Sequence, residues 1–243
     1  MVRQTGLTGV HAVQALSLGR EGVPLRWIDE AHPAPATLCA AAERLTFARS
    51  PDDLYPGLRA PVPPDYGAWL STTLIAAANM GGARLIDARF AVVRDAPDRL
   101  VPIQRIPHFD DADPSIFAAV HYLCSPPHRG TAFYRHRATG FERIDGSRVP
   151  AWRQALMADA RAIGLPPPVY PSGAGPAFEL IGAAPLTFNR LVIYPANCLH
   201  AGEIGDSWQD DHPRLTITAL FQCESALHNA TGRVATGGPS RIG

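Results

Sequence analysis

The chain has 243 residues, 46% of them apolar, which is enough for a sizeable core and too many for wholesale disorder. Lysine plus arginine equals aspartate plus glutamate, 22 of each, so there is no electrostatic footprint for nucleic acid or an anionic membrane. No apolar run reaches the ~18 residues of a membrane helix, and the opening MVRQTGLTGVHAVQALSLGREG lacks the compact apolar stretch and small-residue cleavage site of a signal peptide.

In chain order, residues 35–48 (PATLCAAAERLTFA) are alanine-rich, lack internal glycine or proline, and predict a helix. Residues 64–79 predict a second, with Pro64 suited to its first turn. Residues 1–80 thus read as a mostly helical support. After Gly81-Gly82 the character changes: ARLIDARFAVVRD alternates in part and is rich in Val, Ile and Phe, as a strand should be. Further strands are predicted at 101–109, 115–124, 130–137, 177–183, 190–195 and 214–223. A helix near 150–163 interrupts them, where Trp152, Leu156, Ala160 and Ile163 recur at helical spacing. The proline-rich stretches Pro61–Pro64 and Pro166–Pro168 punctuate elements without dividing the chain, so 1–243 reads as one domain with a tail at 225–243. The fold class is mainly β with flanking helices, a barrel or jelly roll over 83–224. The N-terminal helices either buttress that core or form a homodimer contact. Cys39, Cys124, Cys198 and Cys223 are scattered without CxxC pairing, which predicts free thiols in a cytoplasmic protein.

His108-Phe109-Asp110 ends the strand-like IQRIPHFD, and residues two apart on a strand point to one side of a sheet. His200 ends a second strand-like run, RLVIYPANCLH. Two imidazoles and one carboxylate can hold one face of a six-coordinate metal and leave the other open, the ligand pattern of non-haem Fe(II) oxygenases. An HxD tripeptide is common by itself, so the neighbouring residues must carry the reading. Arg214 opens the alternating RLTITALFQ and shares a face with Thr216. A planar guanidinium beside a hydroxyl is a receptor for a carboxylate, and if buried it needs an anion to offset its desolvation. Taken without context, an arginine at a strand start reads more simply as a surface residue.

The series His108-x-Asp110, Tyr122-Leu123, Gly130-Thr131-x-Phe133, His200-Ala-Gly202 and Arg214-x-Thr216 resembles the Fe(II)/2-oxoglutarate-dependent dioxygenases, and within them the prolyl-hydroxylase-like branch. YPGLRAP, FYRHRATGFE and IYPANCLHAG resemble an uncharacterised bacterial group of that superfamily. The broad likeness covers about residues 100–224. Arg129 stands where the family usually has a first glycine, and GDSWQDDH lengthens the loop between His200 and Arg214. The resemblance implies a double-stranded β-helix (jelly roll) core. It implies Fe(II) on His108, Asp110 and His200, and 2-oxoglutarate as co-substrate on Arg214, with Thr216 or Tyr122 assisting. O2 is then the oxidant, succinate and CO2 are by-products, and an unactivated C–H bond is hydroxylated. Asp110 favours hydroxylation, because the halogenating branch has a small residue in its place. Desaturation and ring closure stay open.

The expected substrate is an amino acid, peptide or small metabolite, with no nucleic-acid or membrane partner. Arg135 and Arg137 on the YRHR strand, and Arg105 more weakly, are candidate substrate ligands if they face inward. His121, His128, His136 and His212 read as structural or surface histidines. Two alternatives remain at this point: a Zn(II) hydrolase, which also accepts two histidines and an aspartate, and a non-catalytic jelly-roll binding module.

Overall fold

A computed structural model describes residues 3–5, 12–50, 54–78, 82–126, 128–205, 207–209 and 213–223. In the first part of the chain these form β1 (Arg3–Thr5), β2 (Val13–Leu18), β3 (Val23–Ile28), α1 (Pro35–Glu43), β4 (Gly57–Pro61), α2 (Pro64–Ala78) and β5 (Ala83–Val93). The rest supplies β6 (Ile116–Tyr122), β7 (Thr131–His136), α3 (Val149–Ile163), β8 (Phe178–Ala184), β9 (Leu191–Pro195), β10 (His200–Gly202) and β11 (Leu215–Cys223). The strands make an eight-stranded antiparallel sheet in the order β1-β2-β3-β9-β6-β11-β5-β4 and a three-stranded sheet in the order β10-β7-β8.

The central strands show why simple alternation is weak in this sequence. Every residue of β6 (IFAAVHY) and of β9 (LVIYP) is buried, because the large sheet is covered on both faces. One face carries Phe117, Ala119, Ile193, Ile217 and Phe221 against Leu38 and Ala42 of α1 and Tyr66, Leu70 and Leu74 of α2. The last three lie four residues apart, one stripe along a helix. The other face carries Ala118, Val120, Val192 and Tyr194, which pack with Phe133 and Ala184 of the small sheet. The outer side of the small sheet is closed by α3 through Trp152. Complete burial of Phe90, Phe133 and Phe221 is worth about 1.5–3 kcal/mol each.

Several expectations need correction. The first eighty residues are not mostly helical, since β2 and β3 form a hairpin that joins the large sheet through β9, and β4 forms its far edge. The first helix stops at Glu43 rather than 48, and Ala48 instead pairs with Arg59 through backbone bonds of 2.8 and 2.9 Å. Residues 101–109 are not a strand. Pro102 and Pro107 bring no N–H donor, and the segment folds into short 3-10 turns at Pro97–Arg99 and Pro102–Arg105. The tail at 225–243 and His212 lie outside the described residues. Among the described residues all four cysteines are free, and no helix is long and apolar enough to cross a membrane.

Buried polar side chains tie the layers together. Glu142, fully buried, accepts hydrogen bonds from the backbone N–H groups of Arg20 and Glu21 at 2.8 Å and from Arg135 Nε at 2.7 Å. It thereby fastens the β2–β3 turn to the small sheet. His121 lies between the Tyr66 hydroxyl (3.1 Å) and Asn189 Oδ1 (2.9 Å), and His136 between Thr139 and Asp159, so both are structural histidines.

Candidate metal centre

The geometry of the candidate site comes from a two-residue ladder rather than from a strand. His108 N–H donates to His200 O at 2.9 Å, and His200 N–H returns to His108 O at 2.8 Å. The Asp110 N–H donates to Ala196 O at 2.8 Å, which docks the carboxylate beside both imidazoles. His200 itself is placed by β10, which pairs it with Phe133 of β7.

One donor atom from each of His108, Asp110 and His200 lies within 4.8 Å of the others. His108 Nε2 is 3.7 Å from Asp110 Oδ1, and His200 Nε2 is 3.5 Å from Asp110 Oδ2. Donors at right angles around one ion lie about 3 Å apart, so a small inward movement of these side chains would complete a shell. The chemistry also fits. His200 Nδ1 is 3.0 Å from the Cys198 carbonyl; assigning its proton there leaves Nε2 as the free lone pair facing Asp110. Half of the His108 side-chain surface is accessible, and it faces a cavity that it shares with Asp110 and His200. Burial, and then the neighbouring His200, push its pKa down to about 4 against the opposing pull of Asp110. At neutral pH the imidazole is therefore uncharged, the form in which a histidine can bind a metal.

That cavity holds about 750 Å³ and is lined by all three donors together with Thr131, Tyr194, Arg214 and Thr216. A second hollow, of about 870 Å³, lies at the helix-covered side and is lined by Cys39, Phe47, Leu123, Cys124 and Leu215, with none of the donors. The donors, not size, identify the relevant cavity.

Arg214 is 5% exposed. Its Nε donates to Arg129 O and its Nη2 to Gly130 O, each at 3.0 Å, and its guanidinium lies 5.5 Å over the Tyr122 ring. Among the described residues no carboxylate pairs with it. The structure thus puts Arg214 and Thr216 in the same cavity as the triad. Tyr122 is fully buried and stands behind the wall, where its hydroxyl meets Thr131 Oγ1 at 2.8 Å. Of this pair it is Thr131, rather than Tyr122, that lines the cavity.

The three arginines considered as substrate ligands are occupied elsewhere. Arg135 is buried against Glu142 and Glu179, Arg137 is exposed and donates to Gly175 O, and Arg105 donates to Leu100 O and Pro166 O. None of them lines the cavity. Two residues that sequence reasoning did not assign to the site do line it: Thr131, whose signal lay in the Gly-Thr-x-Phe segment, and Tyr194, which had no signal of its own. Tyr194 is 2% exposed, its ring is 4.8 Å from that of His200, and its hydroxyl has no hydrogen bond among the described residues. Burial, reinforced by the charge of Asp110, raises its pKa well above the ordinary value, so it is a neutral donor.

Gly130 explains how the Arg214 anchor is built. A β-carbon there would come 1.8 Å from Ala184 O and 2.9 Å from the Leu186 nitrogen, both rigid backbone. Gly130→Ala is expected to cost about 1–3 kcal/mol by overpacking, read as a lowered denaturation midpoint, and to shift the carbonyl that holds Arg214. An unchanged midpoint would refute the close approach.

No curated protein matches the sequence. Among solved structures the chain is similar to the non-heme alpha-ketoglutarate-dependent epimerase SnoN from nogalamycin biosynthesis, at 12% identity and a TM-score of 0.45 over 89% of this chain and 88% of that one. It is also similar to HygX from Streptomyces hygroscopicus with nickel and 2-oxoglutarate bound, at 10% identity and a TM-score of 0.47 over 83% of each chain. HygX with nickel, 2-oxoglutarate and hygromycin B bound gives 13% identity and a TM-score of 0.46 over 83% of each chain. A family model matches residues 10–221, and the chain belongs to that family, the family of unknown function DUF6445.

Proposed function

We propose that the protein is an Fe(II)- and 2-oxoglutarate-dependent oxygenase of prolyl-hydroxylase-like, double-stranded β-helix build, which hydroxylates an unactivated C–H bond of an amino acid, peptide or small metabolite. The observation that carries this reading is the pairing, in one cavity, of the His108–Asp110–His200 donors with a buried Arg214 that lacks a carboxylate partner among the described residues. A hydrolytic metal site has no need of such an arginine.

Bound Fe(II), with 2-oxoglutarate and O2, supplies the oxidising chemistry, and 2-oxoglutarate leaves as succinate and CO2. His108 and His200 would contribute the nitrogen donors, and Asp110 the single carboxylate. Because Asp110 stands where the halogenating branch has a small residue, oxygen transfer would be the favoured outcome. Arg214 pairs with the distal carboxylate of 2-oxoglutarate through the N–H groups it does not spend on Arg129 and Gly130. Thr216 and Thr131 add hydroxyl hydrogen bonds at the same end, and Tyr194 offers its phenol proton to an oxygen of the bound co-substrate. Val120, Ile204 and Phe109 on the cavity wall keep bulk water away from the reacting centre.

Anaerobic titration tests this directly. Fe(II) plus 2-oxoglutarate should produce a weak visible charge-transfer band that His108→Ala abolishes. Absence of the band in the wild type, with metal shown to be bound, would sink the proposal. Activity that persists without 2-oxoglutarate and is lost to a zinc-selective chelator would replace it with the hydrolase.

A further inference from the structure

The cavity is larger than its co-substrate requires. A ten-atom dicarboxylate fills on the order of 200 Å³, while 300–1,000 Å³ is the range for pockets that enclose drug-sized ligands. Of the 750 Å³ here, most remains for a substrate.

The remaining wall is mainly carbon. Leu54, Ile103, Phe109, Trp152, Leu156 and Tyr170 form it. Beyond the three donors and Arg214, the charged lining groups are Arg59, Asp87 and Arg153. Arg59 donates to Thr218 Oγ1 at 2.8 Å and lies 4.4 Å over the Tyr55 ring. Asp87 is ion-paired with Arg89 at 3.2 Å on the exposed side, and Arg153 is exposed at the rim. Arg59 and Asp87 are thus already engaged by Thr218, Tyr55 and Arg89, and most of the remaining wall is apolar. Leu54 is 61% and Ile103 41% exposed, so the apolar surface runs continuously from the interior to the outside. Trp152, 5% exposed, has an indole N–H without a hydrogen-bond partner among the described residues, a donor suited to a carbonyl oxygen.

We infer that the substrate is a largely apolar molecule of roughly 20–30 non-hydrogen atoms bearing a neutral carbonyl group, rather than a free zwitterionic amino acid. This rests on the metal-centre reading above and names the substrate class of that same site. The apolar part lies along the Leu54–Ile103–Trp152–Tyr170 wall, and its carbonyl accepts from Trp152.

The test uses metal-free protein, so that it does not depend on the oxygenase chemistry. The neutral dye Nile red should bind saturably with a blue-shifted emission. N-decanoyl-phenylalaninamide should displace it, and free phenylalanine at the same concentration should not. The double variant Leu54→Glu/Ile103→Glu, at two exposed positions that do not endanger the fold, should weaken the dye about tenfold, and Leu156→Glu should do the same from inside the cavity. Dye affinity within about twofold of wild type in both variants, or displacement by phenylalanine as effective as by the acylated amide, would overturn the inference. Failure of the iron band with this binding intact would instead refute the oxygenase reading alone.

Discussion

Arg214→Ala is expected to raise the dissociation constant for 2-oxoglutarate about 100-fold or more, the ~3 kcal/mol of a buried charge-assisted pair, while leaving Fe(II) affinity nearly unchanged. The wild-type guanidinium is 5% exposed and held on one side by two carbonyl oxygens at 3.0 Å, so it is oriented before any ligand arrives. The two carbonyls take part of its hydrogen-bonding capacity but do not offset its charge, and no carboxylate among the described residues pairs with it. The proposed iron donors are His108, Asp110 and His200, none of which hydrogen-bonds to Arg214. The measurement is a pair of anaerobic titrations, one for the metal and one for 2-oxoglutarate followed by its band. Arg214→Lys should recover little, because a point charge cannot keep both carbonyl contacts and still present a planar fork. Equal loss of iron and 2-oxoglutarate in Arg214→Ala would mean that the residue serves the fold rather than the co-substrate.

Glu142→Ala should produce the largest loss of stability, about 3–5 kcal/mol. The substitution strands a buried guanidinium at Arg135 and removes the acceptor for the Arg20 and Glu21 N–H groups. Glu179 pairs with Arg135 at 2.9 Å but is 41% exposed and cannot replace the enclosed carboxylate. The pH dependence follows the same contacts. Burial alone would push the Glu142 pKa up; the Arg20 and Glu21 N–H groups and Arg135 outweigh it and hold the group below its ordinary 4.5. A depressed folded-state pKa means that the stabilisation is fully present above the unfolded value and is lost as the pH falls through the folded one. Wild type should therefore lose stability in that acid range, and Glu142→Gln should show a shallower loss there. A denaturant midpoint for Glu142→Ala close to wild type at neutral pH would contradict the assignment.

The chain shows where sequence reading succeeds and where it fails. The strands at 116–122, 131–136, 191–195 and 215–223 were legible because β-branched and aromatic runs fall between turn residues. The β2–β3 hairpin was not read, although Gly19 and Gly22 bracket its turn, both at positive φ. Its strands are short and only partly apolar, and they become strand by pairing with β9 and by the grip of Glu142 on their turn. Residues 101–109 erred the other way: an apolar pattern suggested a strand, and two prolines without N–H donors prevented one. Arg135, read as a substrate ligand if inward-facing, is instead buried against Glu142, a partner that could not be chosen from sequence among many acidic residues.

Sequence by itself determined the donor types, their order and their spacing to Arg214, because those depend on side-chain chemistry and on a recognisable series of short motifs. Tertiary structure alone decided that Asp110 docks on Ala196, that Tyr122 stands behind Thr131, that Tyr194 faces the cavity, and that the remaining wall is apolar. Those facts depend on contacts between residues tens of positions apart, formed when two sheets close on each other. No local pattern encodes which side of that closure a given side chain will meet.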